Sequence, residues 1–254
     1  MCQITIDEIS LADIPCLLVQ APQLASSNDW IIGYHGWTNV KESILTQAIA
    51  FARAGFKVVL PDAPHHGRRK DNQKEITQTS SQLPETLLGN LHEFPKLKQA
   101  IEEQFSLDRL SIFGTSMGGL TVSLIAGQYG QVLSGAIQYI ASLDVSQQLG
   151  ELVNGPRGQN LSEVDRHLIQ DCLDEIQSSQ LSNHLSQLEG LPLFVYNGGA
   201  DDWIDASINC QLMDQVKQDY PHVAFIYWED QDHWVPFEII QASVNYLAKH
   251  LHLT

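Results

Sequence analysis

The stretch that most constrains the fold is Leu110-Ser111-Ile112-Phe113-Gly114-Thr115-Ser116-Met117-Gly118-Gly119. An apolar run leads into Gly114-Thr115-Ser116-Met117-Gly118, and a segment of helical character, residues 120–126, leads out. This is the G-x-S-x-G pattern in a strand–turn–helix setting. A strand that turns this sharply into a helix strains its central residue and projects that side chain at the turn. The residues two before and two after then lie too close to other backbone to carry a Cβ, which suits Gly114 and Gly118. The helix start behind Ser116 offers the Met117 N–H and a dipole suited to developing negative charge.

The rest of the chain alternates around this turn. Residues 4–10 and 14–20 read as a strand pair, and 30–34, 56–60, 133–141, 191–196 and 223–228 as further strands. Helical periodicity predicts helices over 41–54, 84–105 (interrupted or kinked at Pro95), 206–218 and 236–250. Residues 68–83 read as a polar surface excursion. Strands alternating with helices imply an α/β fold, a mostly parallel sheet with helices on both faces. Residues 143–190 break the rhythm. They are polar, carry two or three amphipathic helices, and are longer than a usual strand–helix connection. They are expected to form a cap inserted into a core of residues 1–142 and 191–254. Leu161, Val164, Leu168, Ile169, Leu173 and Ile176 are expected on its apolar face.

At 254 residues, with 43% hydrophobic and 17% charged residues, the chain suits one α/β domain with an insertion. Its formal net charge of −16 argues against nucleic acid and anionic membrane surfaces as partners. No stretch is long and apolar enough to span a bilayer, and no basic-then-apolar signal opens the chain. Cys2, Cys16, Cys172 and Cys210 are scattered without C-x-x-C and read as free thiols. A cytoplasmic location is expected.

Three features fall just past strand ends, where sites gather in open α/β sheets. They are Ser116, the loop Asn197-Gly198-Gly199-Ala200-Asp201-Asp202-Trp203-Ile204, and the loop Asp230-Gln231-Asp232-His233-Trp234. A serine hydroxyl becomes an effective nucleophile only when an imidazole takes its proton. The imidazole in turn needs a carboxylate to fix its tautomer and stabilise its charged form. His233 is the best base by position. Asp201 is the preferred acid by the spacing Gly198-x-x-Asp201-x-x-Ile204, with Asp202 and Asp144 as alternatives, while Asp205 reads as a helix cap. The second oxyanion donor is expected from His35-Gly36-Trp37, with the Trp37 N–H beside that of Met117. His35 reads as a brace for that loop. Asp62, His65 and His66 also read as bracing and pocket-lining groups, since no third ligand completes a metal-site spacing. No Walker or Rossmann glycine pattern is present. Neither metal nor cofactor is expected.

Together, His35-Gly36-Trp37, Pro61-Asp62-Ala63-Pro64-His65-His66-Gly67, Gly114-Thr115-Ser116-Met117-Gly118-Gly119, Gly198-x-x-Asp201 and His233 resemble the α/β-hydrolase superfamily. Within it the chain is most similar to small bacterial esterases of the prolyl-oligopeptidase/dienelactone-hydrolase-like group, and Leu11-Ala12-Asp13-Ile14-Pro15 extends the likeness toward the start. The resemblance implies a cofactor-free serine carboxylesterase with Ser116, Asp201 and His233 as triad and the Trp37 and Met117 amides as oxyanion hole. The family loop often reads His-Gly where this chain has Asn197-Gly198, and dienelactone hydrolases use cysteine where this chain has Ser116. The expected reaction is hydrolysis of a small-molecule carboxylic ester through an acyl-enzyme, with short acyl chains favoured because a cap limits acyl length. Peptidase, thioesterase or lactone hydrolase chemistry on the same triad is the alternative, and a non-catalytic binding module a further one. Oligomeric state is not legible in the sequence.

Overall fold

Alternation along the strands decides which helices cover which face of the sheet. The computed structural model describes residues 3–24, 28–70 and 82–252. Its central strand β5 (Arg109–Thr115) sends Leu110 and Ile112 into one apolar cluster and Phe113 into another. The adjacent β3 (Asp29–Tyr34) sends Trp30 and Ile32 to the first cluster and Ile31 to the second. Both strands are covered on two sides, so their sequences are nearly continuous apolar runs.

Among the described residues the sheet has eight strands in the order β1 (Thr5–Leu11), β2 (Ile14–Gln20), β4 (Lys57–Pro61), β3, β5, β6 (Gly135–Tyr139), β7 (Leu193–Gly198), β8 (Ala224–Trp228). The β1–β2 and β2–β4 pairs are antiparallel and the remaining pairs parallel. Each parallel connection carries helix, as a crossover requires. Helices α1 (Leu45–Arg53) and α7 (Phe237–His250) contribute Phe51 and Val244 to the cluster that holds Phe113. On the opposite face lie α2 (Gln82–Gln104, running through Pro95), α3 (Met117–Tyr129), α4 (Val145–Asn154), α5 (Glu163–Ser179) and α6 (Ala206–Asp219). Of the polar excursion expected over 68–83, residues 71–81 lie outside the described residues.

Between β6 and β7 the chain forms α4, α5 and short 3₁₀ turns at Pro156–Asn160, Leu181–Asn183 and Leu185–Leu188. Ser162 and Asp165 make a reciprocal capping box that starts α5. The apolar face expected for this helix is narrower in the structure. Ile169 and Ile176 are buried, whereas Val164 and Leu168 are 69% and 50% exposed. One residue step turns a helix by about 100°, so Leu168 lies well around the helix from the stripe that meets α2 and α3. Cys16, Cys172 and Cys210 are free thiols. No described helix is long and apolar enough to cross a membrane.

Candidate active site

Ser116 joins β5 to α3 with φ 57° and ψ −118°, a conformation that costs energy for any residue bearing a Cβ. Its N–H donates to the Tyr139 carbonyl at 3.0 Å, and its carbonyl accepts the Leu120 N–H at 2.9 Å. A Cβ on Gly114 would stand 2.0 Å from the Gly118 oxygen, and one on Gly118 would stand 1.9 Å from the Tyr34 oxygen. Only glycine fits either position. The Met117 N–H opens α3, and such first-turn amides have no partner within their own helix. Gly36 runs beside the serine, since a Cβ there would come within 3.6 Å of the Ser116 Cβ.

His233 follows β8. Its Nε2 lies 2.9 Å from Ser116 Oγ, and its Nδ1 lies 2.7 Å from Asp201 Oδ2. A carboxylate only accepts, so Nδ1–H donates to Asp201 and Nε2 is left to accept the serine hydroxyl. Asp201 has a fully buried side chain, and its Oδ1 accepts the N–H groups of Trp203 and Ile204 at 2.8 and 3.0 Å. The two loops are tied directly, by Ala200 N–H to the Gln231 carbonyl and Gly199 N–H to the Trp228 carbonyl. Asn197 at the end of β7 donates to the Ala141 carbonyl and accepts from Asn209 of α6, which fixes the start of the acid loop.

The other candidate acids are engaged elsewhere. Asp144 caps α4, accepting the Gln147 N–H at 2.9 Å and further bonds from Ser146, Gln180 and Ser182. Asp205 caps α6 through the Ser207 N–H, and Asp202 is exposed.

A second set of contacts holds the loop that carries Trp37. His35 Nε2 accepts the Ala63 N–H at 3.1 Å while its Nδ1–H donates to the Gly36 carbonyl. His66 Nε2 accepts the Thr38 N–H at 3.2 Å while its Nδ1–H donates to the Pro64 carbonyl at 2.8 Å. Trp37 packs edge-on against the His66 ring at 4.9 Å. Burial lowers the pKa of both imidazoles, that of His66 to about 4, which keeps them neutral acceptors. Beneath them Lys41 Nζ donates to Asp62 Oδ2 at 2.7 Å, both side chains essentially inaccessible, and Asp62 also accepts the Lys41 and Arg68 amides. Sequence reasoning missed Lys41, which reads as an ordinary helix-start residue. Among the described residues, no group of three or more His, Cys, Asp or Glu is arranged to hold a metal ion.

The family model described as serine aminopeptidase, S33, matches residues 25–164, more than half of the chain, and that of the prolyl oligopeptidase family matches residues 96–253. The chain belongs to the α/β-hydrolases of the prolyl-oligopeptidase-like group. It is an enzyme of the hydrolase type. Esterase YjfP of Escherichia coli strain K12 is 28% identical to it over 255 residues, 98% of this chain and 100% of that protein. YitV of Bacillus subtilis strain 168 is 25% identical over 256 residues, with the same coverage of each. TT1662 from Thermus thermophilus shares the fold, with a TM-score of 0.76 at 20% identity over 99% of this chain and all of that one.

Two cavities of this α/β-hydrolase meet at Ser116. One is an open cleft of about 440 Å³ whose walls include Thr38, Asn39, Gln47, His233, Trp234 and Phe237. The other is an apolar slot of about 80 Å³ beneath α4 and α5, bounded by Met117, Leu120, Leu149, Leu152, Ile169 and Ile204. Trp37, Ser116 and Trp203 border both. The tryptophans had no local signal that marked them as pocket walls.

Proposed function

We propose that this hydrolase is a serine carboxylesterase that cleaves small, short-acyl esters through an acyl-enzyme. The observation that carries the reading is the unbroken hydrogen-bonded line from Asp201 through His233 to Ser116. His233 takes the Ser116 proton as Oγ attacks the ester carbonyl, and Asp201 stabilises the imidazolium that forms. The N–H groups of Trp37 and Met117 receive the tetrahedral oxyanion. Collapse of the intermediate breaks the ester C–O bond, with His233 returning the proton to the alcohol. Water, activated by the same imidazole, then releases the acid and regenerates Ser116.

The cavities support a division of the substrate. The alcohol must leave toward the group that protonates it, and His233 borders the open cleft rather than the slot. The acyl chain therefore enters the slot. An apolar cavity of about 150 Å³ accepts a benzene ring, so a slot of about 80 Å³ suits a chain of roughly three or four carbons. Residues 143–190 act as a helical cap that roofs this slot through Leu149, Leu152 and Ile169. The net charge of −16 and the free thiols support a cytoplasmic enzyme whose partner is a small-molecule ester, not nucleic acid or a membrane surface. The names of the E. coli relative and of the matching families support hydrolysis at a carbonyl.

Labelling with a fluorophosphonate, followed by peptide mass mapping, tests the assignment. The adduct is expected on Ser116, and Ser116→Ala is expected to lose both the adduct and about 10⁴-fold or more in kcat on a short-chain ester. Amide and thioester analogues run alongside are expected to turn over more slowly. Retention of ester hydrolysis within tenfold in Ser116→Ala would overturn the reading.

A further inference from the structure

The catalytic steps leave one buried polar side chain in the cleft without a task. Gln47, in the first turn of α1, is only 7% exposed and borders the cleft shared by Ser116 and His233. Its carboxamide makes no hydrogen bond to any described residue, and neither of its polar atoms is fully enclosed, so the cleft is what they face. Thr115 borders the same cleft, and its hydroxyl oxygen is buried and also without a partner. Buried polar groups are nearly always satisfied, so the unpaired Thr115 hydroxyl at a binding surface, beside a carboxamide that only the cleft can satisfy, points to a partner that arrives with the ligand.

We propose that Gln47, assisted by Thr115, determines leaving-group specificity by binding a second hydroxyl on the alcohol. This inference rests on the esterase reading and extends it to the substrate class: esters of an uncharged alcohol that carries a further hydroxyl. A carboxamide offers both donors and an acceptor, and a hydroxyl is the compact group that answers both. The described residues around the cleft include no Lys, Arg, Asp or Glu, so nothing there balances a charged alcohol. Among the described residues, the slot on the acyl side offers only apolar side chains beyond Ser116, Trp37 and Trp203. A site built to bond a hydroxyl discriminates against the analogue that lacks it, because the protein's own polar group is then left buried and unpaired.

The test compares kcat/KM for three butyrates: 2-hydroxyethyl, propyl, which matches it in size, and 2-methoxyethyl, which matches its electron withdrawal. The wild type is expected to favour the hydroxyethyl ester by roughly tenfold over both, the scale of one hydrogen bond. In Gln47→Met the ratio is expected to fall to within about twofold, and in Thr115→Val to an intermediate value. The ratio within one protein cancels losses of folded enzyme, and comparing that ratio between wild type and variant cancels intrinsic ester reactivity. A wild-type ratio near one, or an unchanged ratio in Gln47→Met, overturns the proposal. Should Gln47→Met fail to fold, the wild-type ratio and Thr115→Val decide. Turnover of all three esters with a flat ratio and a labelled Ser116 removes this inference alone. No turnover and no label remove the esterase reading and this inference with it.

Discussion

Asp201 and His233 are joined by a 2.7 Å hydrogen bond, and the carboxylate oxygen not used for it is clamped by two backbone amides, those of Trp203 and Ile204. The acid is therefore fixed by its own loop before the imidazole meets it. A carboxylate held this way can only accept, so it dictates which imidazole nitrogen carries the proton. Asn at this position keeps an acceptor for the amides but can present a donor to Nδ1.

Asp201→Asn is accordingly expected to lower kcat by about 10⁴, the scale seen when the wrong imidazole tautomer is favoured. Asp202→Asn should stay within a few-fold of wild type. Asp144→Asn should act on stability, by less than about 1 kcal/mol, since asparagine also caps helices. Steady-state kinetics and thermal melts of the three variants separate these outcomes. A crippled Asp144→Asn with intact Asp201→Asn would move the acid to the end of β6.

The slot should set acyl length. Leu152→Ala removes part of its wall at a partly exposed position, so the fold tolerates the change. The kcat/KM optimum over p-nitrophenyl esters from acetyl to octanoyl is expected to move to longer chains by roughly two carbons, the volume removed being about that of the lost methylenes. An unmoved profile would show that the acyl chain lies elsewhere.

The pH dependence of stability should carry the signature of His66. Its pKa is lowered from 6.5 to about 4 by burial. Between those values the unfolded chain binds a proton that the folded chain refuses, so stability falls as pH drops through that window and is complete above it. The full contribution is at most roughly 3 kcal/mol. His66→Gln keeps an acceptor for the Thr38 amide and removes the titration. Its melting temperature is expected to fall less steeply than that of wild type between pH 6.5 and 4. Parallel curves would mean that His66 does not titrate in this way.

Lys41→Met leaves the Asp62 carboxylate buried without its cation. Removing one partner of a buried pair costs about 3–5 kcal/mol, and urea denaturation should register a loss of that order. Adding Asp62→Asn should recover part of it, because it removes the uncompensated charge while the amide carbonyl still accepts one of the two N–H groups, of Lys41 and Arg68, that the two carboxylate oxygens accept separately. A loss below about 1 kcal/mol for Lys41→Met would show that water replaces the lysine.

The sequence by itself determined the elements and the serine turn. Strand and helix periods are local properties of side-chain spacing, and the glycines at 114 and 118 follow from crowding that any strand–turn–helix of this kind imposes. The apolar runs of β3 and β5 likewise announce strands covered on both faces, because each residue must suit one side or the other. What the tertiary structure decided were the relationships between distant loops. Asp144 and Asp201 both follow strands and both read as possible acids, yet one meets helix amides and the other His233. The same holds for Lys41 with Asp62, for His66 with the Thr38 amide, and for Gln47, which interrupts an otherwise apolar helix face without any local hint of a cleft beyond it. Hydrogen bonds and cavities depend on separations of a few ångströms between segments far apart in the chain, and those are set only once strand order and helix packing bring the segments together.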